Sequence, residues 1–164
     1  MATPTNLPAS FVTGAVLTAS QQNDLRGAFR VLQVVSAQYS TQFQNNSNTY
    51  ADTGITLSIT TQSNTSKVFA IATIPIMKTS GNTQNAVGLR LVRGSTTVKT
   101  TGLMNYTDSL LQLRTVFTDT HLDSPASAST LTYKYQVANF NNGDGVLTCA
   151  SNEPATITLM EVSA

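Results

Sequence analysis

The sequence predicts an all-β protein: an antiparallel, jelly-roll-like β-sandwich with an N-terminal extended arm and one short helix. Three observations predict it. From Val31 onward, apolar residues recur at every second position in short runs, and Gly, Asn, Ser or Pro separates one run from the next. Thr and Ser fill 43 of the 164 positions, and Cβ-branched side chains such as Thr, Val and Ile pack well on a pleated surface. No helical period lies between the runs, which excludes the crossover helices that a parallel sheet requires.

Residues 1–17 read as an arm. Pro4 and Pro8 bias Thr3 and Leu7 away from helix, and Gly14 interrupts any period. Leu7, Phe11, Val12, Val16 and Leu17 are too apolar for a solvated tail, so the arm lies against its own domain or a neighbouring chain. Thr18-Ala19-Ser20-Gln21 matches a capping box, in which a hydroxyl satisfies orphan amides and Gln reaches back. The helix it starts covers about residues 19–29, with Leu25, Ala28 and Phe29 on one face and Gly27 weakening it.

At Val31 the period becomes two. Val31 to Tyr39 is a strand, and Asn45 to Asn48 is a polar loop. In Tyr50 to Thr61, Ile55, Leu57 and Ile59 alternate with Thr56, Ser58 and Thr60. Lys67 to Lys78 (KVFAIATIPIMK) is apolar on both faces and so is a central strand; Pro75 cannot donate to a ladder and marks a bulge or an unpaired donor site. Val87, Leu89 and Leu91 alternate with Gly88 and Arg90, and Arg93-Gly94-Ser95-Thr96 is a tight hairpin turn into Thr97–Thr101. Leu110 to Thr118, Leu131 to Val137, Val146 to Ala150 and Ala155 to Val162 complete eight or nine strands. The expected organisation is an arm with its short helix over 1–30, serving attachment, and a sandwich over 31–164.

Composition excludes several classes. The net charge is +1 and the basic residues are scattered, with no aromatic interleaving, so neither nucleic acid nor a membrane is an expected partner. The N-terminus has no basic n-region and no continuous apolar stretch. Cys149 is the single cysteine and reads as a small buried hydrophobe. A core can form without staples at this length and 40% hydrophobic content.

One cluster resembles a site, Asp119-Thr120-His121-Leu122-Asp123. In an extended strand the two acids and the imidazole share a face, as a divalent cation would need. The plainer reading, adopted here, is a polar strand end with solvated acids, so no metal, cofactor or catalytic residue is expected. His121 is the sole histidine, no serine sits in a Gly-x-Ser-x-Gly elbow, and the eight acids are scattered, so the chain is not expected to be an enzyme. Tyr133 and Tyr135 share a face with Leu131 and Val137 and belong to a core or a subunit interface.

Several stretches together resemble a family of small tailed-phage virion structural proteins, which includes capsid decoration or cement proteins and fibre-head domains. They are TGAVLTASQQNDLRGAFRVLQVV (Thr13 to Val35), Tyr50 to Ile55 followed by Ser66-Lys67-Val68, Gly88 to Ser95, Leu122 to Pro125, and the close ATITLMEV (Ala155 to Val162). The resemblance covers most of residues 13–162. It implies a homotrimeric β-sandwich made in the host cytoplasm and mounted on a bacteriophage virion, with no catalytic residues. Because no long stalk precedes the sandwich, the expectation is a decoration protein that binds and stabilises the capsid, its partners being itself and the major capsid protein or another virion protein. The alternative is a tail- or head-fibre knob contacting a host-surface glycan or protein. The expected attachment residues are Leu7, Phe11, Val12, Val16, Leu17, Leu25 and Phe29.

Overall fold

In the computed structural model ten strands follow one another: β1 (Val31–Tyr39), β2 (Phe43–Asn45), β3 (Ala51–Thr60), β4 (Lys67–Lys78), β5 (Asn85–Arg93), β6 (Thr96–Thr107), β7 (Leu113–Asp123), β8 (Thr130–Asn139), β9 (Val146–Thr148) and β10 (Ala155–Val162). Among the described residues, one 3₁₀ turn spans Ala150–Asn152. The structure describes residues 31–80, 85–108, 110–141 and 145–163, with Gly14, Val16, Thr18, Ala19 and Gln22 before them. The arm and most of the helix expected over 1–30 lie outside the described residues. Within that stretch the Gln22 N–H donates to the Thr18 carbonyl at 3.0 Å, the i to i−4 step of a helical turn.

All strand pairs are antiparallel. One sheet is ordered β1–β10–β4–β7 and the other β3–β8–β5–β6. The short strands only extend the first sheet: β9 pairs with β4 at Ile76–Lys78, beyond the stretch that β10 occupies, and β2 pairs with β9. Each layer is therefore four strands wide, and the chain crosses between layers in jelly-roll order. The β-sandwich expectation holds, and the jelly roll follows from this pairing.

Pro75 explains where β9 parts from β10. On one side it faces Val116 of β7; on the other, residues 149–154 loop out of the ladder between Thr148 and Ala155. The Cys149 N–H still donates to the Pro75 carbonyl at 3.0 Å. Turning there puts Cys149, Ser151 and Asn152 in the left-handed region, at φ 53°, 59° and 60°. Cys149 itself is fully buried, as a small hydrophobe would be, and burial pushes its thiol pKa up.

The core lies between the layers. β4 and β10 contribute Val68, Ala70, Ala72, Ile74, Ile157 and Leu159, and facing them are Ile55, Ile59, Leu89, Leu91, Tyr133, Tyr135 and Val137. The open edge between β1 and β3 is closed by polar bridges. The Tyr39 hydroxyl donates to the Thr56 carbonyl, and the Gln33 amide donates to the Thr60 carbonyl and to the buried Glu161 carboxylate, each at 2.6 Å. Glu161 also accepts the Gln62 N–H at 2.7 Å.

Several boundaries differ from expectation: β6 continues to Thr107 rather than ending at Thr101, and β9 ends at Thr148 rather than Ala150. Phe43 to Asn45 forms β2 where the sequence reads as the approach to a loop, because Asn45 turns its amide inward onto the Val137 and Thr49 carbonyls, each at 2.8 Å. β7 begins at Leu113 rather than Leu110 and continues to Asp123, carried by its full-length pairing with β4.

Candidate functional site

β7 brings Asp119, His121 and Asp123 to one side of the strand, as alternation requires, opposite Ala72, Ala70 and Val68 of β4. The two acids, however, are buried rather than solvated, at 2% and 8% exposure. The expected solvated strand end is thus corrected. The physical reason is that each carboxylate has partners reaching across from the other sheet. Asp119 pairs with the Lys99 ammonium and accepts the Tyr135 hydroxyl at 2.9 Å. Asp123 pairs with the Arg93 guanidinium and accepts the Tyr133 hydroxyl at 2.7 Å. Burial first, and the adjacent carboxylate second, push both phenols far above the usual tyrosine range.

Two acid–phenol–cation units therefore stitch the second open edge of the sandwich, where β7 faces β6. Tyr133 and Tyr135 are core residues at 0% exposure, with only their hydroxyls engaged by polar groups. The cluster is a structural seam: its carboxylates already hold a cation and a phenol each. Arg93 and Lys99 were not singled out by the sequence reading.

The feature left unexplained by folding is the outer face of the β1–β10–β4–β7 sheet. Cross-strand register places Val34, Met160, Phe69 and Leu122 in one row, running through β1, β10, β4 and β7. The next rows are Ser36–Thr158–Ile71–Thr120 and Gln38–Thr156–Thr73–Thr118, followed by Pro75–Val116. Val34, Leu122 and Val116 are 53%, 51% and 62% exposed. None of these positions is charged. At about 4.8 Å between strands and 3.3 Å per residue, the rows cover roughly 500 Å², in which Val34, Met160, Phe69, Leu122, Ile71, Pro75 and Val116 are the apolar positions and Ser, Thr and Gln fill the rest. The sequence signal was KVFAIATIPIMK: a strand apolar on both faces has one face in the core and the other needing cover.

Of the expected attachment residues, Leu7, Phe11, Val12, Leu17, Leu25 and Phe29 lie outside the described residues. Val16 is described and is 91% exposed.

The opposite sheet carries a shallow trough of about 180 Å³, lined by Asn48, Tyr50, Gly88, Gly102, Ala138, Asn139 and Phe140. Beside it, Tyr106 meets Phe140 edge-on, with ring centroids 6.2 Å apart. The Arg90 guanidinium lies 4.3 Å from the centroid of Tyr50.

No protein family and no curated protein matches this chain. Among solved structures it is similar to infectious bursal virus derived T=1 particles, at 12% identity and TM-score 0.44, covering 100% of this chain and 42% of that one. It is also similar to a structure of the infectious bursal disease virus Gt strain, at 13% identity and TM-score 0.38, covering 100% and 44%. A third likeness, to dimeric latent PorU from Porphyromonas gingivalis, has 10% identity and TM-score 0.36, covering 82% and 14%. The chain spans less than half the length of these solved chains. At such identities and scores the likenesses do not bear on what the chain does.

Proposed function

We propose that this chain is a structural protein of a virus particle, a non-enzymatic module that works by packing against other protein copies. The observation that carries the reading is the uncharged outer face of the β1–β10–β4–β7 sheet. The exposed Val34 and Leu122 and the uncovered parts of the half-buried Met160 and Phe69 stabilise nothing within the domain, whereas burying this row against protein removes apolar area at about 25 cal/mol per Å². Two such faces would bury roughly 1,000 Å², the lower threshold for a specific interface. The phage-protein resemblance across residues 13–162 supports the same reading.

In its finer form, the chain is a homotrimeric decoration protein of a phage capsid. Three copies turn this face toward a common axis, and residues 1–30 attach the trimer to the shell. The test is to mix purified protein with empty capsids and count copies bound. A decoration protein saturates at a fixed ratio to the shell subunit; no binding to shells removes this form. A second reading, a fibre-head module that contacts a host surface, is favoured by one observation: Tyr106 and Phe140, about half exposed, are held edge-on over the other sheet. It predicts binding to host cells instead.

A further inference from the structure

We infer that Arg90, on the outer face of the β3–β8–β5–β6 sheet, is the anchor for a side-chain carboxylate of a partner protein. This sheet lies opposite the apolar row, so the anchor stands whether or not copies of the chain assemble through that row.

Cross-strand register builds the site. Asp52 of β3 faces Gln136 of β8, Gln136 faces Arg90 of β5, and Arg90 faces Thr100 of β6. Leu89, Leu91, Tyr135 and Val137, which flank Arg90 and Gln136 along their strands, are core residues, so this row points outward. Each polar group in the row is fixed by its neighbour. The Asp52 carboxylate accepts the Lys134 ammonium at 2.8 Å and the Gln136 amide N–H at 2.5 Å. Lys134 first and Gln136 second hold the Asp52 carboxyl below the usual carboxylate range, which keeps it ionised. With its Nε2 turned to Asp52, Gln136 aims its Oε1 at Arg90 and accepts the Nε–H at 2.6 Å. The guanidinium also packs on Tyr50, 4.3 Å from the ring centroid.

Arg93, Lys99, Arg114 and Lys134 each pair with a carboxylate of this chain. Arg90 instead meets the neutral Gln136, and neither of its Nη groups has a partner among the described residues. A guanidinium held at Nε and across one face, with both Nη groups open, is set for a two-point contact with a carboxylate. Holding the side chain in advance removes the ordering cost that a free arginine bears on binding.

Charge selects the partner. Lys134 is neutralised by Asp52, so the row offers one cation, which matches one carboxylate; a nucleic-acid backbone requires several unpaired cations side by side. Every described acid of this chain is already engaged within the chain, which points to a different protein rather than a second copy. Arg and Tyr together are also the side chains that most often anchor protein interfaces.

NMR of the arginine Nε–Hε groups of the full chain at low ionic strength tests the site. The probe is N-acetylglutamate N-methylamide, and its glutamine analogue is the control. The acid should shift the Arg90 resonance saturably, with an affinity about tenfold above that of free N-acetylarginine N-methylamide for the same probe. The glutamine analogue should leave the resonance unmoved, and a short oligothymidylate should not displace the acid. Gln136→Ala releases the guanidinium and should bring the affinity down to the free value. The proposal is overturned if Arg90 binds the acid no better than free arginine does, or if the glutamine analogue shifts it equally. It is also overturned if Gln136→Ala leaves the affinity unchanged, or if the oligothymidylate binds Arg90 more tightly. Should Gln136→Ala fail to fold, the wild-type comparison decides alone.

Discussion

Tyr135 on β8 donates its hydroxyl to the Asp119 carboxylate on β7 at 2.9 Å, joining the two layers of the sandwich through a buried hydrogen bond. Asp119 is simultaneously paired with Lys99, so one carboxylate holds together strands of both sheets. Removing the acid strands the buried phenol, while Lys99 stays solvated and bonded to the Thr120 carbonyl; removing only the hydroxyl leaves the ion pair intact. Asp119→Ala should therefore cost about 2–3 kcal/mol and Tyr135→Phe about 1 kcal/mol in urea denaturation. Equal costs, or a neutral Asp119→Ala, would show that the seam is not a unit.

Alkaline pH should loosen the sandwich. A phenol in the unfolded chain titrates near pH 10, while Tyr133 and Tyr135 are pushed well above that in the fold. The folded state thus holds these protons more tightly. Their contribution is fully present below about pH 10 and falls as pH climbs beyond it, by up to ~1.4 kcal/mol per pH unit for each phenol. Urea midpoints between pH 8 and 11.5 check the sign, and the Tyr133→Phe/Tyr135→Phe double variant should flatten the alkaline fall. A midpoint that rises with pH in that range would refute the assignment.

Much of this architecture is written in the sequence. The alternation of Ile55, Leu57 and Ile59, and the two-faced run from Lys67 to Lys78, identify a half-buried and a central strand without further help. Pro75 marks the interruption, although which neighbour loops out depends on the pairing of β9 and β10. The seam could not be read. Asp119 and Asp123 are polar residues on an alternating strand, and only the approach of Lys99, Arg93, Tyr133 and Tyr135 from distant positions makes their burial tolerable. The outer face was half legible: Phe69 and Ile71 signal it on one strand, but its width emerges only when register aligns Val34, Met160 and Leu122 beside Phe69. The trough depends on a bulge opposite Gly88, which no local pattern specifies.

Deleting residues 2–17 should leave the β-domain folded. Among the described residues its core lies between Val35 and Leu159, and β1 starts at Val31. Far-ultraviolet circular dichroism should be unchanged, while binding to particles weakens at least tenfold as several apolar side chains per copy are lost. Full occupancy by the truncated protein would transfer the attachment role to the sandwich itself.

Sedimentation velocity at micromolar concentration tests most directly whether the chain assembles through the Val34–Met160–Phe69–Leu122 row. The intact protein should sediment as three copies of the 17.4 kDa chain, and the Phe69→Lys/Leu122→Lys variant, placing two ammonium groups on that row, should sediment as one while keeping its melting temperature. A wild-type monomer, or a double variant that remains fully associated, would contradict the account.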